Sequence, residues 1–277
     1  MSTLIVAGTG IGGSGQMTVE TIEIIKISGA VPYVVADPII DDYLIKLNKN
    51  SRSMSNFYKY GKPRLRTYHD MVNSIIDDLS RNELVCAVFY GHPGVFCYPS
   101  HEAVIKAREL GHEAKMIPAI SAEDCLFSDL NIDPSRNGCQ SFEATDFLLK
   151  NRTVDIHSSV ILWQIGVVGQ LNPTADVNRH GLSVLASKLS DIYGSHHFVT
   201  VYQAARNALD RPLMHRTKIM DLPVAPVSTI STLFIPALRE ADTDMEIYRR
   251  LNIDDNYIDV ARSLKSVYSN QGFSANI

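Results

Sequence analysis

The chain has 277 residues, enough for one large domain or two ordinary ones with cores of their own. Hydrophobic residues make up 45% and charged residues 20%, with a formal net charge of −4, the balance of an ordinary globular protein. That mild acidity argues against a basic nucleic-acid surface or an anionic-membrane anchor as the organising feature.

Taken in chain order, Thr3–Ala7 reads as a short apolar strand running into the glycine loop Gly8-Thr9-Gly10-Ile11-Gly12-Gly13. Met17–Ser28 carries apolar residues at helical spacing, Val31–Ala36 reads as a second strand and Pro38–Leu47 as a helix. A polar, aromatic segment from Asn48 to Arg66 follows, and Thr67 is a candidate cap for a helix over His69–Leu79. Strand Leu84–Tyr90 leads into a second loop, Pro99-Ser100 opens a helix to Leu110, and Glu113–Ile117 is another strand. This alternation predicts a mostly parallel sheet covered on both faces.

Past residue 120 the rhythm changes. Ser141–Ala144, Ser159–Gln164, Phe198–Tyr202 and Thr229–Pro236 read as strands, with one long helix at Gly181–Tyr193. The expected fold class is therefore α/β in two domains. An N-terminal domain over 1–120 has the parallel sheet, and a C-terminal domain over 121–240 has a mixed one. Residues 241–277 follow as helices at Asp242–Leu251 and Ile258–Val267 and a tail from Tyr268. The seam near Ile120–Glu123 is the expected cofactor cleft.

No run is long enough to span a bilayer, Ser159–Trp163 being typical, and residues 1–15 have no signal-peptide pattern. Cys86, Cys97, Cys125 and Cys139 have no CxxC spacing and read as free thiols, which points to a cytoplasmic protein. The histidines show no metal-ligand spacing, so no metal site is expected. No nucleic-acid or membrane partner is expected either.

Three loops at strand ends draw attention: the first glycine loop, Tyr90-Gly91-His92-Pro93-Gly94-Val95-Phe96, and Ile120-Ser121-Ala122-Glu123-Asp124. Glycine and small residues let backbone approach a flat, polar ligand closely, so a nucleotide-like cofactor is expected. Gly8–Gly13 fits GxGxxG, and as a dinucleotide fingerprint it would pair with Asp37 as a ribose ligand for NAD. That motif alone is weak, because the glycines could serve a sharp turn.

Residues 4–250 resemble the tetrapyrrole methylase superfamily. The resemblance rests on these loops, on Pro118–Asp124, and on Ser231-Thr232 within Ile230–Pro236. Within it the chain is similar to the borosin peptide α-N-methyltransferases, on four segments: Phe57–Tyr68, Tyr90–Phe96, Ser121–Asp133 and Trp163-Gln164-Ile165-Gly166. The resemblance implies S-adenosylmethionine as cofactor and methylation of backbone amides of a ribosomally made precursor peptide. It implies cofactor contacts at Tyr90, His92, Val95, Phe96, Ser121, Ala122, Gln164, Ala204, Ser231 and Thr232. Singly, Ser231 and Thr232 are ordinary strand residues and His92 an ordinary hydrogen-bonder; the joint pattern carries the inference. Ala204 rests on the loosest match.

The same resemblance assigns Arg64 and Tyr68, with Tyr58 and Tyr90, to catalysis. A peptide nitrogen is a poor nucleophile because its lone pair is delocalised into the carbonyl. Arg64 and Tyr68 are four apart and share one face of a helical turn, so the guanidinium favours phenolate. On this reading Tyr68 takes the amide proton, Tyr58 hydrogen-bonds the carbonyl oxygen, and Tyr90 positions the methyl donor.

Fused fungal members methylate a Val/Ile/Gly-rich run at their own C terminus, and none occurs in Tyr268–Ile277. The split type is expected, with the precursor peptide as a separate chain and a homodimer holding two peptides. The competing readings are a corrin or porphyrin C-methyltransferase of the same superfamily, which has no evident need of the Tyr58/Arg64/Tyr68 group, and a non-catalytic peptide-binding module.

Overall fold

A computed structural model describes residues 1–253 other than Ala36, Tyr60, Leu171, Pro173 and Ala208. Strands β1 (Thr3–Gly8), β2 (Val31–Val34), β3 (Ser51–Ser53), β4 (Leu84–Phe89) and β5 (Glu113–Met116) form one sheet in the order β3-β2-β4-β1-β5. Every pairing in it is parallel. Alternate side chains of β1 and β4 serve two cores. Leu4, Val6, Val85, Ala87 and Phe89 pack with helices α3 (Arg64–Leu79) and α4 (Tyr98–Glu109). Ile5, Ala7, Cys86 and Val88 pack with α1 (Val19–Ile27) and α2 (Pro38–Leu47). Two covered faces explain why these strands read as continuous apolar runs.

The second sheet contains β6 (Cys139–Glu143), β7 (Ser159–Trp163), β8 (Phe198–Gln203), β9 (Leu213–Lys218) and β10 (Thr232–Ile235), in the order β6-β7-β10-β8-β9. β6 and β7 are parallel and the other pairs antiparallel, so this sheet is mixed. One face, with Val160, Leu162, Val201 and Leu233, meets α6 (Ala144–Leu149) and α7 (Arg179–Tyr193). The other, with Ile161, Trp163, Tyr202 and Phe234, meets Leu126 and Leu130 at α5 (Ala122–Asp129). With eight residues α5 is too short to stand alone; burial of Leu126, at about 1.5–3 kcal/mol, and its cap hold it.

Both sheets belong to one compact unit, Met1–Leu238; Arg239–Ile277 is a second. Within the latter, α8 (Met245–Arg250) is capped by Asp244 Oδ1, which accepts from the amides of Glu246 and Ile247 at 2.9 and 3.0 Å. The helix expected at Ile258–Val267 and the tail from Tyr268 lie outside the described residues. Among the described residues no helix is long and apolar enough to cross a membrane.

The structure departs from the sequence reading in three places. Helix α3 starts at Arg64, not beyond Thr67, because Pro63 in extended geometry (φ −57°, ψ 138°) opens it and accepts the Thr67 amide at 3.2 Å. Thr67 is a buried residue of the first turn, its hydroxyl reaching the Phe57 carbonyl at 3.5 Å. Strand β3 lies inside the polar, aromatic segment, where no strand was expected. Strand β9 and helices α5 and α6 add to the few elements expected after residue 120.

Candidate active site

A parallel sheet sends all its strands' C-terminal ends to one edge, and ligands of such sheets bind beyond that edge. Here that edge presents Thr9–Gly13 after β1, Val35 and Asp37 after β2, Tyr90–Phe96 after β4 and Ser121 after β5. All four loops contribute to the wall of one cavity of about 600 Å³, within the usual range for a small-molecule site. The second sheet closes the cavity with the ends of β7 and β8 and the start of β10. Its antiparallel registers Leu233↔Leu162 and Thr232↔Tyr202 bring these three together. Trp163, Gln164, Gln203, Ala204, Ile230 and Thr232 line the cavity from that side.

The loops are held backbone to backbone. Gly91 N donates to Gly10 O at 3.0 Å and Gly10 N to Gly91 O at 3.3 Å. A Cβ on Gly8 would lie 2.1 Å from Gly91 O, so only glycine permits this approach. Inside the first loop, Gln16 Oε1 accepts from the amides of Ile11 and Gly12 at 2.8 and 2.6 Å. Those are donors that a pyrophosphate would need in a dinucleotide fold. Helix α1 does not begin until Val19, capped by Thr18, and Asp37 Oδ1 is bonded to Ile39 N as the cap of α2. The geometry therefore speaks against the NAD reading of GxGxxG.

The second loop is fixed by its own side chains. His92 Nδ1 accepts from Gly94 N at 2.8 Å, and Ser100, fully buried, donates to the carbonyls of Pro93 and Cys97. Phe96 is left-handed (φ 51°) and so is Gln164 (φ 58°), both lining the cavity. Their segments meet where the Phe96 and Trp163 rings lie 5.3 Å apart. Non-glycine residues held there cost free energy, and such strain gathers at ligand clamps.

Residues 3–166 match the profile of the Tetrapyrrole (Corrin/Porphyrin) Methylases. The chain belongs to that family. It is 40% identical over 256 residues to a methyltransferase/ribosomally synthesized cyclic peptide gymnopeptides precursor of Gymnopus fusipes, covering 91% of this chain and 61% of that protein. It is 39% identical over 258 residues to the methyltransferase/omphalotin A precursor of Omphalotus olearius, with the same coverages. A methyltransferase/type III borosin cyclic peptide precursor of Anomoporia bombycina is 40% identical over 242 residues, covering 84% of this chain and 28% of that protein. The chain thus spans about three fifths of the first two relatives and less of the third. Uroporphyrin-III-C-methyltransferase from Thermus thermophilus shares the fold, with a TM-score of 0.60 at 14% identity over 92% of this chain and 98% of that one.

The sequence-predicted residues sit around one space. Tyr58, Arg64, Tyr68, Tyr90, His92, Val95, Phe96, Ser121, Ala122, Gln164, Ala204 and Thr232 all line the cavity. Ser231 does not. It is fully buried, its Oγ accepts from Ser228 N at 2.9 Å, and its carbonyl accepts from Ile165 N at 3.1 Å. It holds the wall that Ile230 and Thr232 form. Ser121 lines the cavity with its hydroxyl already engaged: it donates to Asp124 Oδ2 at 2.7 Å and accepts from Asp124 N at 3.2 Å. It caps α5 in a capping box.

The aromatic cluster has a defined polarity. Tyr58 leaves 41% of its surface open, yet burial of its hydroxyl pushes its pKa well above the ordinary value, and the side-chain hydrogen bond with Tyr68 adds to this. Arg64 opposes the shift, which puts its guanidinium within electrostatic reach. Burial also raises Tyr90, against Arg206, which lowers it. A second cavity, of about 470 Å³, adjoins the first: Arg64, Tyr68, Phe96, Cys97, Tyr98 and Gln164 border both, and His101 and Glu143 border the second alone. Sequence reasoning did not single out Tyr98 or Arg206. Tyr98 had one visible signal, an aromatic at the opening of a helix directly after the strand-end loop. Arg206 lies in an irregular segment with no periodicity to mark it.

Proposed function

We propose that this methyltransferase transfers a methyl group from S-adenosylmethionine to backbone amide nitrogens of a separate, ribosomally made precursor peptide, working as a homodimer with two peptides. The observation that carries the reading is the convergence of Tyr58, Arg64 and Tyr68 on one cavity, with Arg64 and Tyr68 in the wall that this cavity shares with its neighbour. A macrocycle methylase has no evident use for such a group.

The larger cavity fits the donor. Glycines of two strand-end loops, Gly10, Gly13 and Gly91, border it and leave room for an adenosine, and Val95 and Phe96 give it an apolar side. Tyr90, His92, Gln164, Ala204 and Thr232 would hold the donor directly, while Ser121 and Ser231 would fix the segments that carry Ala122 and Thr232. When bound, S-adenosylmethionine supplies an electrophilic sulfonium methyl and leaves as a neutral thioether.

The chain's own residues deal with the amide. Its nitrogen must lose a proton and its carbonyl oxygen must gain negative charge as the peptide turns imidate-like. Tyr68, four residues after Arg64 on the first turns of α3, is the group that accepts the proton. Tyr58, kept protonated, donates to the carbonyl oxygen, so the developing charge meets a positioned donor. Tyr90 aligns donor and nitrogen.

The test is mass spectrometry of a synthetic peptide carrying a Val/Ile/Gly run, supplied in trans with S-adenosylmethionine. Successive methyl-sized gains that fragment onto backbone nitrogens support the reading. Methylation of an added corrinoid or porphyrin instead overturns the substrate assignment. Donor binding with no methylation of either overturns catalysis.

A further inference from the structure

Tyr98 is not among the residues that the resemblance brought forward, yet it has a particular place. It is the first residue of α4, its ring centroid 6.0 Å from that of Tyr68 and 28° from parallel, and it meets His69 edge-on at 6.0 Å and 83°. It borders both cavities. With 41% of its surface exposed it is not a core residue, whereas Tyr68 is partly buried against the core between α3, α4 and the first sheet.

The backbone beneath Tyr98 is unusually constrained. Left-handed Phe96 precedes it by two residues, Ser100 Oγ ties the Cys97 carbonyl at 2.6 Å, and His101 Nε2 lies 3.1 Å from the Gly94 carbonyl. The loop that borders the larger cavity therefore also sets where the Tyr98 ring stands. Tyr68 lies early in α3, where a helix is held least by its own hydrogen bonds. Its ring must nevertheless present one oxygen to one proton within a fraction of an ångström.

We infer that Tyr98 is a positioning residue for methyl transfer: its ring stacks on Tyr68 and fixes the direction of the Tyr68 hydroxyl toward the acceptor amide. The role belongs to the ring and not to the Tyr98 hydroxyl. This rests on reading Tyr68 as the proton acceptor. It also couples the two halves of the reaction, because the donor-side loop and the proton acceptor share one aromatic contact.

The experiment compares Tyr98→Leu, Tyr98→Phe and Tyr68→Phe with wild type, using the same Val/Ile/Gly peptide and S-adenosylmethionine. Readouts are kcat, peptide KM, donor Kd by calorimetry, and melting temperature. Tyr98→Leu is expected to lower kcat about 10- to 100-fold, the scale of a misplaced reacting group. Its donor Kd should stay within about twofold, and its melting temperature within about 3 °C. Tyr98→Phe should return kcat to within about threefold of wild type, since the stacking ring is kept. A Tyr98→Leu kcat within about threefold of wild type overturns the proposal, and so does a Phe variant as slow as the Leu variant. Loss of donor binding or of folding in both variants overturns it too, by making Tyr98 a structural residue. Tyr68→Phe separates the underlying reading: if it keeps full turnover, Tyr68 is not the proton acceptor, whatever Tyr98 does.

Discussion

The two sheets build the active site in different ways. The parallel sheet makes its contribution with loops: every strand ends at the same edge, so Thr9–Gly13, Val35 with Asp37, Tyr90–Phe96 and Ser121 converge by topology alone. The mixed sheet has no such edge. It contributes because β10 runs antiparallel to both neighbours, which puts the start of one strand beside the ends of two others. On the proposed reading, chemistry and containment divide along the same line. Tyr58, Tyr68 and Tyr90, the residues proposed to act on the amide, stand on the parallel-sheet side, and the mixed sheet supplies wall residues such as Gln164, Ala204 and Thr232. A site divided in this way can change its acceptor chemistry through a segment such as Phe57–Tyr68 and leave the containing wall alone.

That division is open to direct attack, and the largest effect belongs to the reactive side. Tyr68→Phe and Arg64→Ala should each lower turnover by about 10²- to 10⁴-fold, the usual contribution of a positioned acid–base group. Donor affinity, measured by calorimetry, should change little. On the containing side the order reverses: Thr232→Ala should weaken donor binding and leave single-turnover chemistry of the loaded enzyme close to wild type. Loss of donor binding in the Tyr68 and Arg64 variants would erase the distinction.

Next come two glycines, one in each half, with the same steric problem. A Cβ on Gly8 would meet Gly91 O at 2.1 Å, and one on Gly166 would meet Ser228 O at 2.0 Å. Neither neighbour is the free end of a side chain, so backbone must move. Gly8→Ala and Gly166→Ala should each cost about 1–3 kcal/mol in urea unfolding, the cost of overpacking. Both should weaken donor binding, because each separates two cavity-lining segments. If either is neutral by both measures, that half tolerates more slack than its close contacts imply.

The two halves were also unequally legible in the sequence. In the first, runs such as Val85–Phe89 are apolar on both faces and stop abruptly at glycine, so strand, loop and site were readable together. The mixed sheet defeats that reading where it meets solvent. β9 (Leu213–Lys218) alternates exposed Met214 and Arg216 with half-buried or buried neighbours, and its edge position gives propensity little to register. α5 and α6 are short and depend on caps at Ser121 and Glu143 more than on periodicity. Thr67 misled for a different reason: a hydroxyl one turn inside a helix looks like a cap when the true start, at Arg64 after Pro63, has no capping side chain. The site residues were legible only as a joint pattern. Ser231 matched that pattern by position, and its side chain turned out to serve the wall behind the cavity.

A smaller effect probes the interior of the parallel sheet through pH. Burial holds the Cys86 thiol protonated, pushing its pKa from 9.0 up to about 12. In the unfolded chain the thiol ionises near its ordinary value, so between those two values the unfolded state binds fewer protons than the folded one. Stability from this group is complete below pH 9 and declines as pH rises toward 12, by about 1 kcal/mol at pH 10. Cys86→Ala should flatten the slope of unfolding free energy between pH 9 and 10 relative to wild type. An unchanged slope would mean that the thiol reaches water in the folded state.

The smallest effect has the opposite sign and lies in the core of the mixed sheet. The Tyr193 hydroxyl is buried, with no hydrogen-bond partner among the described residues, and burial raises its pKa to about 12. The ring itself is well used, stacked on His197 with centroids 5.3 Å apart. Leaving a buried hydroxyl unpaired costs about 1–3 kcal/mol, and phenylalanine keeps the ring while removing that cost. Tyr193→Phe should therefore be neutral or stabilising by up to about 1 kcal/mol in urea unfolding, with turnover unaffected because the residue lies away from both cavities. A clear loss of stability would mean that the hydroxyl is satisfied by a buried water, and that this core is wetter than its parallel-sheet counterpart around Cys86.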